Sequence, residues 1–72
     1  MIRGGELIKL ARKARGMTQL ELAFAHGPAL KTIQRWECCS TPIPFDDVIW
    51  IITDIFKMTI TEAMELAPDE KH

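Results

Sequence analysis

The chain has 72 residues, which is enough for one domain with a core too small to be very stable without a partner, a metal or a cross-link. Apolar residues make up 47% and charged residues 26%, a composition typical of a folded globular domain that excludes a disordered tail. The net charge of −1 is unevenly distributed. Residues 1–37 contain seven basic and three acidic residues (+4), and residues 38–72 contain two basic and seven acidic residues (−5). We therefore expect the first half to face an anion.

Two amphipathic helices are predicted at the start of the chain. Apolar residues at helical spacing indicate the first helix between Glu6 and Arg15, and Gly16 ends it as a C-terminal cap. Thr18 then begins the second helix, because Glu21 three residues later completes a capping box. The side of the second helix that we expect to be buried consists of Leu20, Leu22, Ala23 and Ala25.

The third predicted helix has basic residues on its outward face, and the fold itself does not need them there. His26, Gly27 and Pro28 end the second helix, and Pro28 suits the first turn of the next one. This next helix, from about Ala29 to Glu37, would bury Ile33 and Trp36. The residues that point elsewhere are Leu30, Lys31, Gln34 and Arg35.

The fourth predicted helix follows a loop over residues 38–44 and is apolar on two sides. It begins at Phe45 or Asp46 and runs to Lys57. One apolar stripe, sufficient to cover the core, is made of Phe45, Ile49, Ile52 and Phe56. A second stripe is made of Val48, Ile51, Ile55 and Met58, and the large aromatic residue Trp50 lies beside it. The second stripe would form a symmetric homodimer, bind another protein, or lie in a deeper part of the core.

A fifth short helix completes an all-α chain. Thr59 or Thr61 caps it, it runs through Ile60, Ala63, Met64 and Leu66, and Pro68 ends it. We expect one domain over residues 1–68 and a disordered tail over 69–72. No segment alternates with the period of two that indicates a strand.

Targeting signals and cysteines indicate a cytoplasmic protein. The longest apolar run, residues 48–52, is far shorter than the roughly 20 residues of a membrane span, and the start of the chain lacks a signal peptide. Cys38 and Cys39 are sequence neighbours, and a disulfide between neighbours is strained. Two ordinary loop thiols in a reducing compartment fit best, with a redox switch as the alternative.

Several positions together resemble a known family. Thr18-Gln19 is followed by Leu22-Ala23, Gly27 stands at the turn, and residues 32–37 read Thr-Ile-Gln-Arg-Trp-Glu. This combination resembles the helix-turn-helix family of phage Cro and CI repressors and xenobiotic-response-element (XRE) regulators. The resemblance implies a compact five-helix, lambda-repressor-like DNA-binding domain, with the helix-turn-helix pair at about residues 18–37.

The resemblance also implies site residues. Gln19 would contact a DNA phosphate, and the third helix would enter the major groove of double-stranded DNA. Arg12 and Glu37 match the positions of a buried ion pair. The positions that would contact DNA are Thr18, Gln19, Ala29, Leu30, Lys31, Thr32, Gln34 and Arg35.

Three features depart from the family pattern. Pro28 and Ala29 replace a Val-Ser type of start that would cap the third helix. The loop after the third helix carries no positive charge, which predicts weak or strongly salt-sensitive binding by a single subunit. His26 stands where the family usually has an aliphatic core residue, and we expect it to be a partly buried imidazole with satisfied hydrogen bonds.

These patterns predict a small Cro-like transcriptional repressor that binds an operator as a homodimer. The alternative is a protein-binding module that keeps this fold and inhibits or neutralises a host protein through the fourth helix. We expect no enzyme activity, because Ser40 has no His and acid arranged near it and no glycine-rich phosphate loop is present. No metal, cofactor, membrane or small-molecule ligand is expected either, since the cysteines lack further zinc ligands.

Overall fold

The computed structural model describes residues 3–27 and 29–67, and this part of the chain contains five helices and no strand. The all-α prediction is therefore confirmed. The expected role of Pro28 in the third helix, the end of the fifth helix at Pro68 and the tail 69–72 lie outside the described residues. The helices are α1 (Gly4–Ala14), α2 (Gln19–His26), α3 (Leu30–Glu37), α4 (Phe45–Trp50), which continues as a π-helical segment (Ile51–Ile55), and α5 (Ile60–Glu65). None of these helices is long and apolar enough to cross a membrane.

Local capping chemistry sets the helix boundaries. The Thr18 hydroxyl accepts a hydrogen bond from the Glu21 N–H at 3.0 Å, and the Glu21 carboxylate accepts one from the Thr18 N–H at 2.8 Å. This is the predicted capping box. Gly16, after α1, has a φ of +68°, and Gly27, after α2, has a φ of +105°, so both glycines occupy left-handed turns. Thr59, rather than Thr61, caps α5.

The core lies between α1 and the other helices. α1 contacts α3, α4 and α5, while α2 packs against α3 and the π-helical segment. Each helix contributes the apolar residues that its capping and spacing bring to the inside. The buried apolar residues are Leu7, Ile8, Ala11, Leu22, Ala23, Ile33, Trp36, Val48, Ile51, Ile52, Phe56, Met58 and Ala63.

Gly5 lets α1 and α3 touch backbone to backbone. A Cβ atom placed on Gly5 would lie 1.6 Å from the Trp36 carbonyl oxygen. No real side chain can occupy that position, and the atom in the way belongs to the backbone. The closest approach of the two helices therefore depends on glycine at position 5.

The predicted buried side of α2 is only half correct. Leu22 and Ala23 are buried, but Leu20 is 56% exposed and Ala25 is also exposed. Leu20 shares the outer face of α2 with Phe24, four residues later, which is 87% exposed. This helix of eight residues packs mainly on α3 and the π-helical segment. It therefore buries one narrow stripe, and the other apolar residues face solvent.

The predicted assignment of the two stripes on the fourth helix is wrong at several positions. Val48, Ile51 and Met58, placed in the partner interface, are buried in the core, whereas Phe45, placed in the core, is 75% exposed. Of the other two predicted interface residues, Ile55 is half-buried and packs against the core, and Trp50 remains 43% exposed.

The π-helical segment gives the physical reason for this error. The Phe56 N–H donates to the Ile51 carbonyl at 2.9 Å, one residue further along the chain than in an α-helix. This segment contacts α1, α2 and α5, so it is covered on more than one side. Ile51, Ile52 and Phe56 are all buried there.

Candidate nucleic-acid interface

A buried ion pair joins α1 to α3 at the two positions where one was expected. Arg12 Nε donates to Glu37 Oε2 at 2.7 Å, and Arg12 Nη2 donates to Glu37 Oε1 at 2.9 Å. The remaining nitrogen, Nη1, donates to the Met17 carbonyl at 2.7 Å. Because all three nitrogens of this buried guanidinium bind protein groups, Arg12 is a structural residue and not a phosphate ligand.

Gln19, the expected phosphate contact, belongs to the same network. Its Nε2 donates to Glu37 Oε1 at 3.0 Å. A carboxylate only accepts hydrogen bonds, so the nitrogen of the amide must face Glu37, and one N–H of Nε2 is left over. The side chain is half-buried at the first position of α2, where backbone N–H groups also lack intrahelical partners. The contact ties the start of α2 to the end of α3.

The outer face of α3 carries the expected polar and basic side chains. Lys31, Gln34 and Arg35 are exposed and lie three and four residues apart, so they share one face. Ile33 and Trp36, on the opposite face, are buried. Of the remaining positions expected to contact DNA, Ala29 and Thr18 are exposed and Leu30 and Thr32 are half-buried.

Thr18 and Ala29 take different roles at the starts of their helices. The Thr18 hydroxyl is occupied by the capping box, so its first role is to begin α2. Ala29 is the N-cap residue of α3 and offers no side-chain hydrogen bond to the helix. The Thr32 N–H donates to the Ala29 carbonyl at 2.9 Å, so the backbone N–H groups of Leu30 and Lys31 are the ones available to an acceptor outside the helix.

Arg15 has a structural role that sequence reasoning missed. Its Nε donates to the Phe56 carbonyl at 2.6 Å, and its Nη2 donates to the Lys57 carbonyl at 3.2 Å. Arg15 therefore binds the end of the π-helical segment, 41 residues away along the chain. No local pattern announces such a contact. Together with Arg12, it shows that part of the positive charge of the first half serves the fold.

His26 lies where α2, α3 and α4 meet. Its ring centroid is 6.0 Å from that of Trp36 and 5.0 Å from that of Trp50, and its Nε2 is 3.3 Å from Asp47 Oδ1. The expected partial burial is observed, since the His26 side chain is 13% exposed. The expected satisfaction of its hydrogen bonds is not, because the buried Nδ1 has no hydrogen-bond partner. The two tryptophan rings leave no polar group beside Nδ1.

A second surface feature is apolar and lies away from the face of α3 that carries Lys31 and Arg35. A groove of about 350 Å³ runs between α1, α4 and α5. Two exposed apolar side chains line this groove, Phe45 and Met64, and Met64 is 47% exposed. We call this feature the apolar groove; it is lined by Gly4, Leu7, Ile43, Phe45, Val48, Ile49, Ile60 and Met64.

Comparison with known proteins gives no assignment: no protein-family model matches the chain, and no significant match is found among curated proteins or solved structures. What the chain does must therefore be argued from its own residues.

Proposed function

We propose that the chain is a sequence-specific DNA-binding transcriptional regulator of the Cro/CI helix-turn-helix type, with α3 as the helix that enters the major groove. The observation that carries the proposal is the contrast between the two sides of α3. Its inner side is anchored by Ile33, Trp36 and the Arg12–Glu37 ion pair. Its outer side presents Lys31, Gln34 and Arg35 to solvent.

The outer residues of α3 match the chemistry of base edges. Arg35 or Lys31 can donate to O6 and N7 of guanine, and Gln34 can pair with adenine through its amide. Leu30, half-buried at the start of α3, is an apolar neighbour for a thymine methyl group. Each well-formed contact of this kind discriminates against a wrong base by about 1–3 kcal/mol.

Phosphate binding would come mainly from the start of α2. The spare side-chain N–H of Gln19 and the backbone N–H groups of Gln19 and Leu20, which precede the capped Glu21 N–H, are suitable donors to a phosphate oxygen. The loop after α3 adds no cation, since residues 38–44 contain neither Lys nor Arg. With so few contacts to the backbone, one subunit would bind weakly, and two subunits on two half-sites would bind far better.

The homodimer therefore belongs to the proposal, but its surface differs from the expected second stripe. Ile51 and Met58 are buried in the core, and Val48, also buried, could take part only as a lining residue of the apolar groove. The exposed apolar side chains of the apolar groove, Phe45 and Met64, are the better candidates. An isologous contact would place each Phe45 against the groove of the other subunit.

Fluorescence anisotropy with DNA selected from a random pool tests the proposal. The double variant Lys31→Ala/Arg35→Ala should lose at least about tenfold in affinity, because two groove contacts disappear. Lys13→Ala is the matched control: it removes an exposed cation from α1, outside α3, and should have a small effect. Affinity should also fall steeply between low and moderate salt. Unchanged binding by the double variant, or binding that ignores salt, contradicts docking through α3.

A second candidate function is a protein-binding module, favoured by the apolar groove and the acidic second half of the chain. In this case the groove would capture and neutralise another protein, and α3 would only support the fold. A partner that co-purifies in a fixed ratio and is lost in Phe45→Ser, together with no DNA retardation at low salt, would favour this function over DNA binding.

A further inference from the structure

The end of α3 is closed by a turn that contains both cysteines. The Ser40 N–H donates to the Arg35 carbonyl at 3.1 Å, and the Cys39 N–H donates to the Trp36 carbonyl at 3.1 Å. These two bonds are the Schellman pattern of a helix C-terminus, with Cys39 in the left-handed position. Its φ is +64°. Helices usually place glycine at this point, because a Cβ is unfavourable there.

Cys39 is one of two non-glycine residues with a left-handed backbone in the described part of the chain, the other being Lys57 after the π-helical segment, with a φ of +57°. The equivalent position after α1 is Gly16, which makes the same turn without a Cβ. Holding a non-glycine residue in the left-handed region costs about 1–2 kcal/mol. Such departures from local preference concentrate at functional positions. The exception at Cys39 is also the residue that makes a thiol pair with Cys38.

Both thiols can be reached from outside. Cys38 is exposed, and its S–H makes only long contacts, 3.6 Å to the Arg35 carbonyl and 3.4 Å to Ser40 Oγ. Cys39 is half-buried and borders a cavity of about 360 Å³ beside the start of α1, together with Arg3 and Gly4. Neither sulfur is committed to a disulfide.

Ser40 also prepares one of the two thiols for reaction. Hydrogen bonds from the Ser40 side chain, and then from its backbone, lower the pKa of the Cys38 thiol. A larger share of Cys38 is therefore thiolate near neutral pH than for an ordinary cysteine, and the thiolate is the form that binds soft elements.

We propose that Cys38 and Cys39 together form a dithiol binding site for trivalent arsenicals. With an arsenic(III) oxide R–As=O, two As–S bonds form, the As–O bond and both S–H bonds break, and oxygen leaves with the two protons as water. Arsenic stays trivalent, so no oxidant or reductant takes part. An arsenic atom between the sulfurs enlarges the ring, so the strain that disfavours a direct disulfide between neighbours is relieved.

Binding would act on the end of α3. When its sulfur binds arsenic, Cys38 loses the S–H that donates to the Arg35 carbonyl, which also accepts from the N–H groups of Ser40 and Thr41. The turn that closes α3 would therefore lose part of its contacts. This step alone rests on the proposed function: if α3 reads DNA, the arsenical lowers DNA affinity, and the site is an effector site.

Intact-chain mass spectrometry with phenylarsine oxide tests the site. The parent should form a one-to-one adduct that survives excess 2-mercaptoethanol and is released by dithiothreitol, because only a dithiol competes with two protein sulfurs. Cys38→Ser and Cys39→Gly should hold the probe at least about 100-fold more weakly, since the second bond is intramolecular. Cys39→Gly suits the helix end better than cysteine, so a loss of binding there cannot be attributed to misfolding.

Ser40→Ala is the matched control, because it leaves both thiols in place. It should still hold the probe against 2-mercaptoethanol but react more slowly at neutral pH, since the pKa of Cys38 rises without the Ser40 hydroxyl. Retention of the adduct by either single-thiol variant as in the parent, or its removal from the parent by 2-mercaptoethanol, would overturn the dithiol site.

DNA binding separates the two proposals. The adduct should lower the affinity for selected DNA by roughly tenfold, the effect of about one lost hydrogen bond. An adduct with unchanged DNA affinity overturns the effector role and leaves the site standing. A chain that forms the adduct but binds no DNA overturns the proposed function alone.

Discussion

Cys39 gives a direct measure of what the left-handed position costs. Replacing it with glycine should raise the free energy of unfolding by about 1 kcal/mol, because the strain of the Cβ disappears while some of the gain is lost to the flexibility of glycine in the unfolded chain. Urea unfolding measures the difference.

Cys39→Ala is the control for this change, since it removes the thiol and keeps the Cβ. It should be no more stable than the parent. If alanine stabilises the chain as much as glycine does, the thiol rather than the backbone is responsible, and the left-handed φ of +64° carries no cost.

Contacts of single residues differ in how far the sequence predicts them. Arg12 and Glu37 could be paired because the resemblance supplied the two positions. The bonds from Gln19 to Glu37 and from Arg15 to the Phe56 carbonyl could not be predicted, since they join residues 18 and 41 positions apart and no local pattern marks them. The expected phosphate role of Gln19 stays a prediction.

Among the helices, the ion pair between α1 and α3 makes the sharpest prediction. Arg12→Met should destabilise the chain by about 3–5 kcal/mol, because it leaves the buried Glu37 carboxylate with Gln19 as its side-chain partner. The double variant Arg12→Met/Glu37→Met should lose less free energy of unfolding than Arg12→Met, since no uncompensated buried charge remains. Chemical unfolding of the parent and the two variants measures this. If the double variant is less stable than Arg12→Met, the two side chains are not coupled as the buried ion pair predicts.

The helix ends and the two faces of α3 were predictable, whereas the buried faces of α2 and of the fourth helix were predicted only in part. The capping box at Thr18 and the glycines at 16 and 27 act through neighbouring residues, so the sequence alone locates them within one or two positions. The buried faces of the fourth helix depend on the contacts that its π-helical segment makes with α1, α2 and α5. These contacts join residues that are far apart in the sequence, so no local pattern predicts them.

For the whole molecule, the relocated apolar surface can be tested by self-association. Phe45→Ser/Met64→Ser should shift sedimentation toward the monomer while the chain stays folded, because both side chains are exposed. Ile51→Asp, which the expected second stripe would have made a dimer variant, should instead unfold the chain, since Ile51 is fully buried.

Phe24→Ser is the matched control, because Phe24 is exposed on α2, outside the apolar groove. It should leave sedimentation unchanged. A parent that is monomeric at all concentrations, or a Phe45→Ser/Met64→Ser variant that sediments like the parent, would remove the homodimer from the proposal.

The backbone contact at Gly5 tolerates substitution far less than the side chains of the core do. Core side chains can be exchanged for others of similar volume, and each exchange shifts packing slightly. The gap between α1 and α3 is set instead by the Gly5 α-carbon and the Trp36 carbonyl, atoms that no substitution elsewhere alters. Homologous chains could therefore differ at most core positions and at the outward residues of α3. As long as position 5 stays glycine, the distance between α1 and α3 would remain the same.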